Sequence, residues 1–325
     1  MHNFILRASL LVGALAACSV QDAREVARPT DTSAGAAAAA TAAGTIATMP
    51  ENWRPPVVDS TPDDPYEVAV YRGLALLTHT RDSLPKYVGG NLNCTSCHLD
   101  EGRRADAAPL SGVAARYPRY IDRASAVVPL EDRVNYCFTR SLAGSKLPNN
   151  SREMQDIITY LSYISRGVPI GAHVAGEGMP KMPALTGDLT KGTASFVANC
   201  ARCHGAVGEG IGPAPALWGP NSFSIGASMA RQERAASFIR HNMPFDKPGT
   251  LSDQEAYDIA AYIVSMARPD MPGKAKDWPD GNAPADVPYA TNGREAFNPP
   301  KLLPRKGRAA DGIVEAPASV LSKKK

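Results

Sequence analysis

Two short motifs of the same form constrain the fold of this chain more than any other feature. They are CTSCH at Cys94–His98 and CARCH at Cys200–His204. Two cysteines separated by two residues and followed by histidine are the attachment signature of a c-type haem. Both thiols bond to the vinyl groups, and the histidine binds the iron. A redox dithiol or half of a zinc site would use the same cysteines. Two copies, each with its own histidine, favour two covalently bound haem c groups, attached through Cys94, Cys97, Cys200 and Cys203.

The motifs belong to an internal repeat. Cys94 and Cys200 are 106 residues apart (200 − 94 = 106), and so are Pro109 and Pro215, in loops of the kind that pack beside a haem-binding histidine. Apolar residues recur with helical spacing on both sides of each motif, and little of the chain is typical of strands. Helices are predicted after Asp64-Pro65, over 193–200, after Ser151 (with Met154, Ile157, Ile158, Leu161 and Ile164 on one face) and after the capping box Ser252/Glu255. The sequence therefore predicts a mainly α fold with two tandem cytochrome c-type domains, residues 61–180 and 181–268.

The N-terminal end of the chain indicates export. Residues 1–17 have a weakly basic start and a short apolar run, as in a signal peptide. The small residues before Cys18 favour the lipoprotein type, in which Cys18 is lipidated; ordinary cleavage would leave Cys18 as a spare thiol. Residues 18–60 are rich in Ala and Thr and predict a flexible tether, and residues 269–325 form a Pro-rich C-terminal extension. We expect an exported, periplasmic protein that contacts the membrane only through the lipid on Cys18.

The net charge of the whole chain gives no steering toward an anionic partner. The whole chain carries 35 Lys+Arg and 32 Asp+Glu. Removing residues 1–17 takes away Arg7, so the mature balance is (35 − 1) − 32 = +2. Haem propionates would cancel this charge, so we expect no nucleic-acid partner, and any anion specificity must be local.

Each haem iron needs a ligand opposite its histidine, or it has an open site there. In the second half Met243 lies 39 residues after His204 (243 − 204 = 39) and precedes a proline, with His241 as the competing ligand. The same spacing in the first half leads to Cys137 (98 + 39 = 137). A thiolate there would hold the iron ferric and lower its potential relative to a methionine-bound haem. The alternative is that Cys137 is a buried thiol and that Met154 or His79 binds this iron.

At these residues the chain resembles a known family, the dihaem thiosulfate dehydrogenases, which join two thiosulfates into tetrathionate. The resemblance covers about Tyr71 to Tyr289. It rests on YVGGNLNCTSCHLDEG (87–102), YPRYIDRASAVVPLEDRVNYCFTRSLAG (117–144), CARCHG with NMP downstream, and RPDMPGKAKDWPDGNAPADVPY (268–289).

The resemblance implies an enzyme whose active site lies at the Cys-bound haem. Cys137 would be the iron ligand and reacting sulfur, Arg123 and Arg133 would bind the substrate anions, and Ser141 would lie nearby. An arginine fork suits this role because it binds oxyanions through two hydrogen bonds and offsets the repulsion of two dianions. Each arginine could instead pair with a haem propionate or lie on the surface, and Ser141 could cap a helix or turn.

The resemblance also implies an external electron acceptor, such as a small cytochrome c or another periplasmic protein. Asn242 stands where some members carry a lysine thought to replace the neighbouring methionine on reduction, and asparagine cannot take that role. The alternatives are a tetrathionate reductase that runs the reverse reaction and a non-catalytic dihaem electron carrier.

Overall fold

The structure is a computed structural model, and it describes residues 49, 52–58 and 62–297. The predicted signal peptide, Cys18, most of the predicted tether and residues 298–325 lie outside the described residues.

Helices dominate the described part of the chain, as predicted. The α-helices are α1 (Pro65–Thr78), α2 (Thr80–Ser83), α3 (Leu99–Gly102), α4 (Leu130–Tyr136), α5 (Arg152–Tyr163), α6 (Leu189–Asn199), α7 (Ala201–His204), α8 (Gln232–Asn242) and α9 (Asp253–Ser265). A π-helix covers Cys137–Ser141, and 3-10 turns cover Cys94–Ser96, Val113–Arg116, Ser228–Ala230 and Lys274–Lys276. The two strands found there, β1 (Arg119–Ile121) and β2 (Ala126–Val128), pair antiparallel with Tyr120 opposite Val127.

The predicted helix starts are confirmed by their caps. The side chain of Asp64 accepts a hydrogen bond from the Glu67 amide at the start of α1, and Ser151 accepts one from the Met154 amide at the start of α5. Ser252 and Glu255 form the capping box that opens α9. A side chain at the cap position satisfies an amide that has no partner within the helix, so each helix begins where the sequence places it.

Both halves repeat one helix crossing. In the first half α1 packs on α5, and in the second half α6 packs on α9. Each pair meets at a glycine: a Cβ on Gly73 would overlap the carbonyl oxygen of Asp156, and a Cβ on Gly192 would overlap that of Asp258. Only glycine allows the two backbones to approach so closely.

Each helix pair has its own hydrophobic core. Phe138, Met154 and Tyr160 are fully buried in the first core, and Phe196, Tyr262 and Ile259 in the second. A smaller cluster comprises Trp278, Ala283, Val287 and Tyr289, so the described part of the C-terminal extension is itself packed. No helix among the described residues is long and apolar enough to span a membrane.

Candidate active site between His98 and Cys137

The first haem motif opens onto an apolar cavity. Cys94, Cys97 and His98 line the cavity together with Cys137 and Ser141. Its remaining walls are almost all apolar: Leu77, Leu92, Asn93, Leu110, Val134, Phe138, Leu142, Ile157 and Leu161. Neither Met154 nor His79 lines it. Of the three proposed ligands for this iron, only Cys137 is among the residues that line this cavity.

The orientation of His98 is fixed by the loop that follows it. The ring nitrogen Nδ1 lies 2.6 Å from the carbonyl oxygen of Ala108, so that it acts as the donor and leaves Nε2 as the metal-binding nitrogen. His204 repeats this arrangement, with Nδ1 2.8 Å from the carbonyl oxygen of Pro215. The predicted role of the Pro-Leu loops is confirmed, although the acceptor in the first half is Ala108, one residue before Pro109.

Cys137 lies at the junction of α4 and the π-helix, one turn after Arg133. Nη1 of Arg133 donates a hydrogen bond to Sγ of Cys137 at 3.2 Å. Burial raises the pKa of the Cys137 thiol, but the positive charge of Arg133 and the imidazole of His98 outweigh this effect and bring the pKa down to about 6. Burial instead raises the pKa values of Cys94 and Cys97 to about 12. The site therefore favours a thiolate at Cys137 alone among its three cysteines.

A second, more polar cavity adjoins the first and shares His98, Leu110, Val134, Cys137 and Leu161 with it. Arg116, Arg119 and Arg133 line this cavity, and Arg116 forms an ion pair with Glu177. Neither Cys94 nor Cys97 lines it, so the cationic region extends away from the thiols.

These two cavities fit a c-type haem. Its vinyl edge would bond to Cys94 and Cys97, and its carboxylate-bearing edge would face the opposite way, where Arg116 and Arg119 can pair with propionates. His98 and Cys137 line both cavities and would bind the iron. Sequence reasoning missed Arg116, Arg119 and Glu177. The only available signal was the two arginines in ARYPRY, a few residues after the Pro-Leu loop.

Arg123 occupies a different environment from Arg133. Its Nη1 donates to the carbonyl oxygen of Gly226 at 2.9 Å, and its guanidinium lies 4.4 Å from the ring centre of Trp278. Burial lowers the pKa of Arg123 to about 10. Arg123 lines neither cavity, so its role as an anion-binding residue stays a prediction.

The second haem motif is surrounded by the second core. Met243 and Cys200 both pack against this core, and Nδ1 of His241 lies 2.8 Å from the Ser237 carbonyl oxygen within α8. Asn242 is fully buried, and its Nδ2 donates to the carbonyl oxygen of Asp106 at 3.1 Å. Met243 as the iron ligand opposite His204, with Cys200 and Cys203 as the attachment thiols, stays a prediction.

Comparisons with known proteins agree with this arrangement. Residues 88–170 match the cytochrome c domain of the SoxA/TsdA family, and residues 189–267 match the cytochrome c family. A thiosulfate dehydrogenase of Psychrobacter arcticus is 43% identical over 256 residues, which cover 76% of this chain and 78% of that protein. One of Allochromatium vinosum is 40% identical over 225 residues, which cover 66% of this chain and 83% of that protein.

A solved structure is similar as well. The thiosulfate dehydrogenase (TsdBA) from Marichromatium purpuratum superposes with a TM-score of 0.65 at 35% identity. The match covers 69% of this chain and 51% of that longer chain, so this chain spans about half its length. On the identity and coverage of these relatives, the chain belongs to the thiosulfate dehydrogenase family and consists of two cytochrome c domains in tandem.

Proposed function

We propose that the protein oxidises two thiosulfates to tetrathionate at a haem bound by His98 and Cys137. His204 and Met243 would hold a second haem, which would supply the path for the electrons to an external acceptor such as a small cytochrome c. The observation that carries this proposal is the 3.2 Å contact between Arg133 and the sulfur of Cys137, in a cavity that His98 also lines. This contact places the guanidinium of Arg133, which can bind the substrate anion, next to the sulfur of Cys137, which the site favours as a thiolate.

The chemistry takes place on the Cys137 sulfur. The thiolate and the outer sulfur of one thiosulfate form a disulfide bond, which gives a cysteine S-thiosulfonate and releases two electrons. The outer sulfur of a second thiosulfate then attacks the sulfur of this adduct that is bonded to Sγ of Cys137. The bond to Cys137 breaks, tetrathionate leaves, and the thiolate is regenerated. The haems, when bound, accept the two electrons one at a time.

The cations around Cys137 make the approach of two dianions feasible. Repulsion between like charges is strong in an apolar cavity, and fixed arginines offset it. Arg133 is the nearest such group, and its contact with Sγ leaves it next to any thiosulfate that reaches this sulfur. Ser141 lines the same cavity and can contribute a hydroxyl.

The direct test is steady-state turnover in both directions. We expect the holoprotein to oxidise thiosulfate with ferricyanide as the electron acceptor and to form tetrathionate. Its tetrathionate reduction with a low-potential donor is measured in parallel. Faster reduction than oxidation would make it a tetrathionate reductase, and the absence of both activities in a protein that carries both haems would make it an electron carrier.

We also propose that the protein is periplasmic and bound to the membrane through lipidated Cys18. Changing Cys18 to Ala should move the protein from the membrane fraction to the soluble periplasmic fraction, because a thioether-linked lipid could no longer form. Fractionation followed by haem staining measures this, with the wild-type protein as control. Membrane association that persists in the variant would contradict the anchor.

A further inference from the structure

We propose that Asp277, in the C-terminal segment (residues 268–289), is a positioning residue for Cys137. This inference rests on the proposed function, because it identifies what keeps the reacting sulfur of that site in place. Asp277 lies far from both haem motifs in sequence, yet it binds the π-helix that begins at Cys137.

The π-helix is short and carries two residues of the candidate site. It covers Cys137–Ser141 and closes with a hydrogen bond from the Leu142 amide to the Cys137 carbonyl oxygen at 2.9 Å. Single π turns are rare and occur frequently at functional sites. This turn places both Cys137 and Ser141 on the cavity wall, so a change in its geometry moves both side chains.

Arg140, three residues after Cys137, connects this turn to the C-terminal segment. Its guanidinium forms a bidentate pair with the Asp277 carboxylate, with Nη1–Oδ2 at 2.5 Å and Nη2–Oδ1 at 2.7 Å. The Tyr289 hydroxyl donates a further bond to Oδ2 of Asp277 at 2.6 Å. Asp277 is 4% exposed, so water does not compete for these bonds.

Backbone carbonyl groups in and near the π-helix also accept hydrogen bonds from other parts of the chain. The carbonyl oxygen of Arg140 accepts hydrogen bonds from the hydroxyl and the amide of Ser224, at 2.7 and 3.1 Å. The amide of Trp278 donates to the carbonyl oxygen of Arg123 at 2.9 Å. The C-terminal segment therefore contacts the chain on both sides of α4, and Arg140 is fixed through both its side chain and its backbone.

The ion pair between Arg140 and Asp277 is better suited to fixing the orientation of the π-helix than to stabilising the fold. A buried ion pair adds little net stability, because desolvation of both charges offsets their attraction. A bidentate arginine–carboxylate pair does restrict orientation, since two parallel bonds fix the plane of the guanidinium. Reacting atoms that move by about 1 Å can lose about a hundredfold in rate.

The test compares Asp277→Asn with Asp286→Asn in the holoprotein. Asp286 lies in the same C-terminal segment and also accepts from a buried arginine, Arg231, with Nε–Oδ1 at 2.7 Å. Arg231 precedes α8 in the second domain, and its ion pairs are with Glu233 and Asp286, so Asp286→Asn controls for the loss of an ion pair of a buried arginine. We expect Asp277→Asn to lower kcat/KM for thiosulfate at least tenfold and to shift or broaden the EPR signal of the Cys-bound haem. We expect Asp286→Asn to keep kcat/KM within about twofold of wild type, with that signal unchanged.

Equal kcat/KM and equal EPR spectra in the two variants would overturn the proposal. If Asp277→Asn fails to fold, Tyr289→Phe is used instead, because it removes one hydrogen bond to the Asp277 carboxylate and keeps the aromatic ring. We expect this variant to show the same EPR change on a smaller scale. An unchanged EPR spectrum would count against a positioning role for Asp277. The EPR readout also separates this proposal from the proposed function. A wild-type protein that does not oxidise thiosulfate refutes the function, while the spectra of the variants still report whether Asp277 positions Cys137.

Discussion

Changing Cys137 to Met is expected to abolish thiosulfate oxidation while the protein keeps its fold and both haems. Methionine occupies the corresponding position of the second half, Met243, so a thioether is compatible with this kind of site. A thioether can bind iron, but it has no thiolate with which to form the S-thiosulfonate. Steady-state oxidation with ferricyanide as the acceptor measures the loss, and we expect no turnover above the protein-free rate.

Spectroscopy provides the control for this variant. Pyridine haemochrome should give two covalent haems per chain for wild type and variant alike. EPR and near-infrared MCD of the ferric wild type should show both His/Cys and His/Met ligation, and the variant should lose the His/Cys signal. Wild-type turnover in the variant would mean that the chemistry does not pass through this sulfur. A wild type with only His/Met ligation would leave Cys137 as a buried thiol.

Local features of the fold could be predicted because local physics determines them. The haem motifs need a histidine next to the second cysteine, and the caps at Asp64, Ser151 and Ser252 depend on residues three positions apart or fewer. The position of Cys137 also followed from the sequence, because the chain contains its own repeat and one half could be compared with the other.

Long-range contacts could not be predicted in this way. The pairing of Arg140 with Asp277 joins residues 137 positions apart, and no periodicity in the sequence connects them. The same is true of Arg123, whose guanidinium lies over Trp278 instead of lining the cavity with Arg133. The glycines at the two helix crossings, Gly73 and Gly192, did not predict these crossings either. Their lack of a side chain matters only because the backbone of a second helix packs directly against them.

Arg133→Gln is expected to lower kcat/KM for thiosulfate by about ten- to a hundredfold. Gln keeps much of the side-chain bulk but removes the charge and the fork that contacts the Cys137 sulfur. Loss of a charge-assisted contact in a partly buried site costs about 1.5–3 kcal/mol, and about 1.4 kcal/mol is a tenfold change. Because Arg133 would bind the substrate anion directly, the effect should appear in KM as well as in kcat. Initial rates across a range of thiosulfate concentrations separate the two.

Two further variants show whether this loss is specific to Arg133. Arg152→Gln removes a cation whose side chain is 72% exposed, and it should leave kcat/KM unchanged.

Arg123→Gln should have a smaller effect than Arg133→Gln, because the guanidinium of Arg123 contacts Gly226 and Trp278 and lines neither cavity. A loss in Arg123→Gln equal to that in Arg133→Gln, with KM raised, would make Arg123 a direct anion ligand. Wild-type kinetics in Arg133→Gln, with haem content and reduction of the second haem by dithionite unchanged, would leave the proposed site without its substrate cation. In that case the 3.2 Å contact with Cys137 would serve only to stabilise the thiolate.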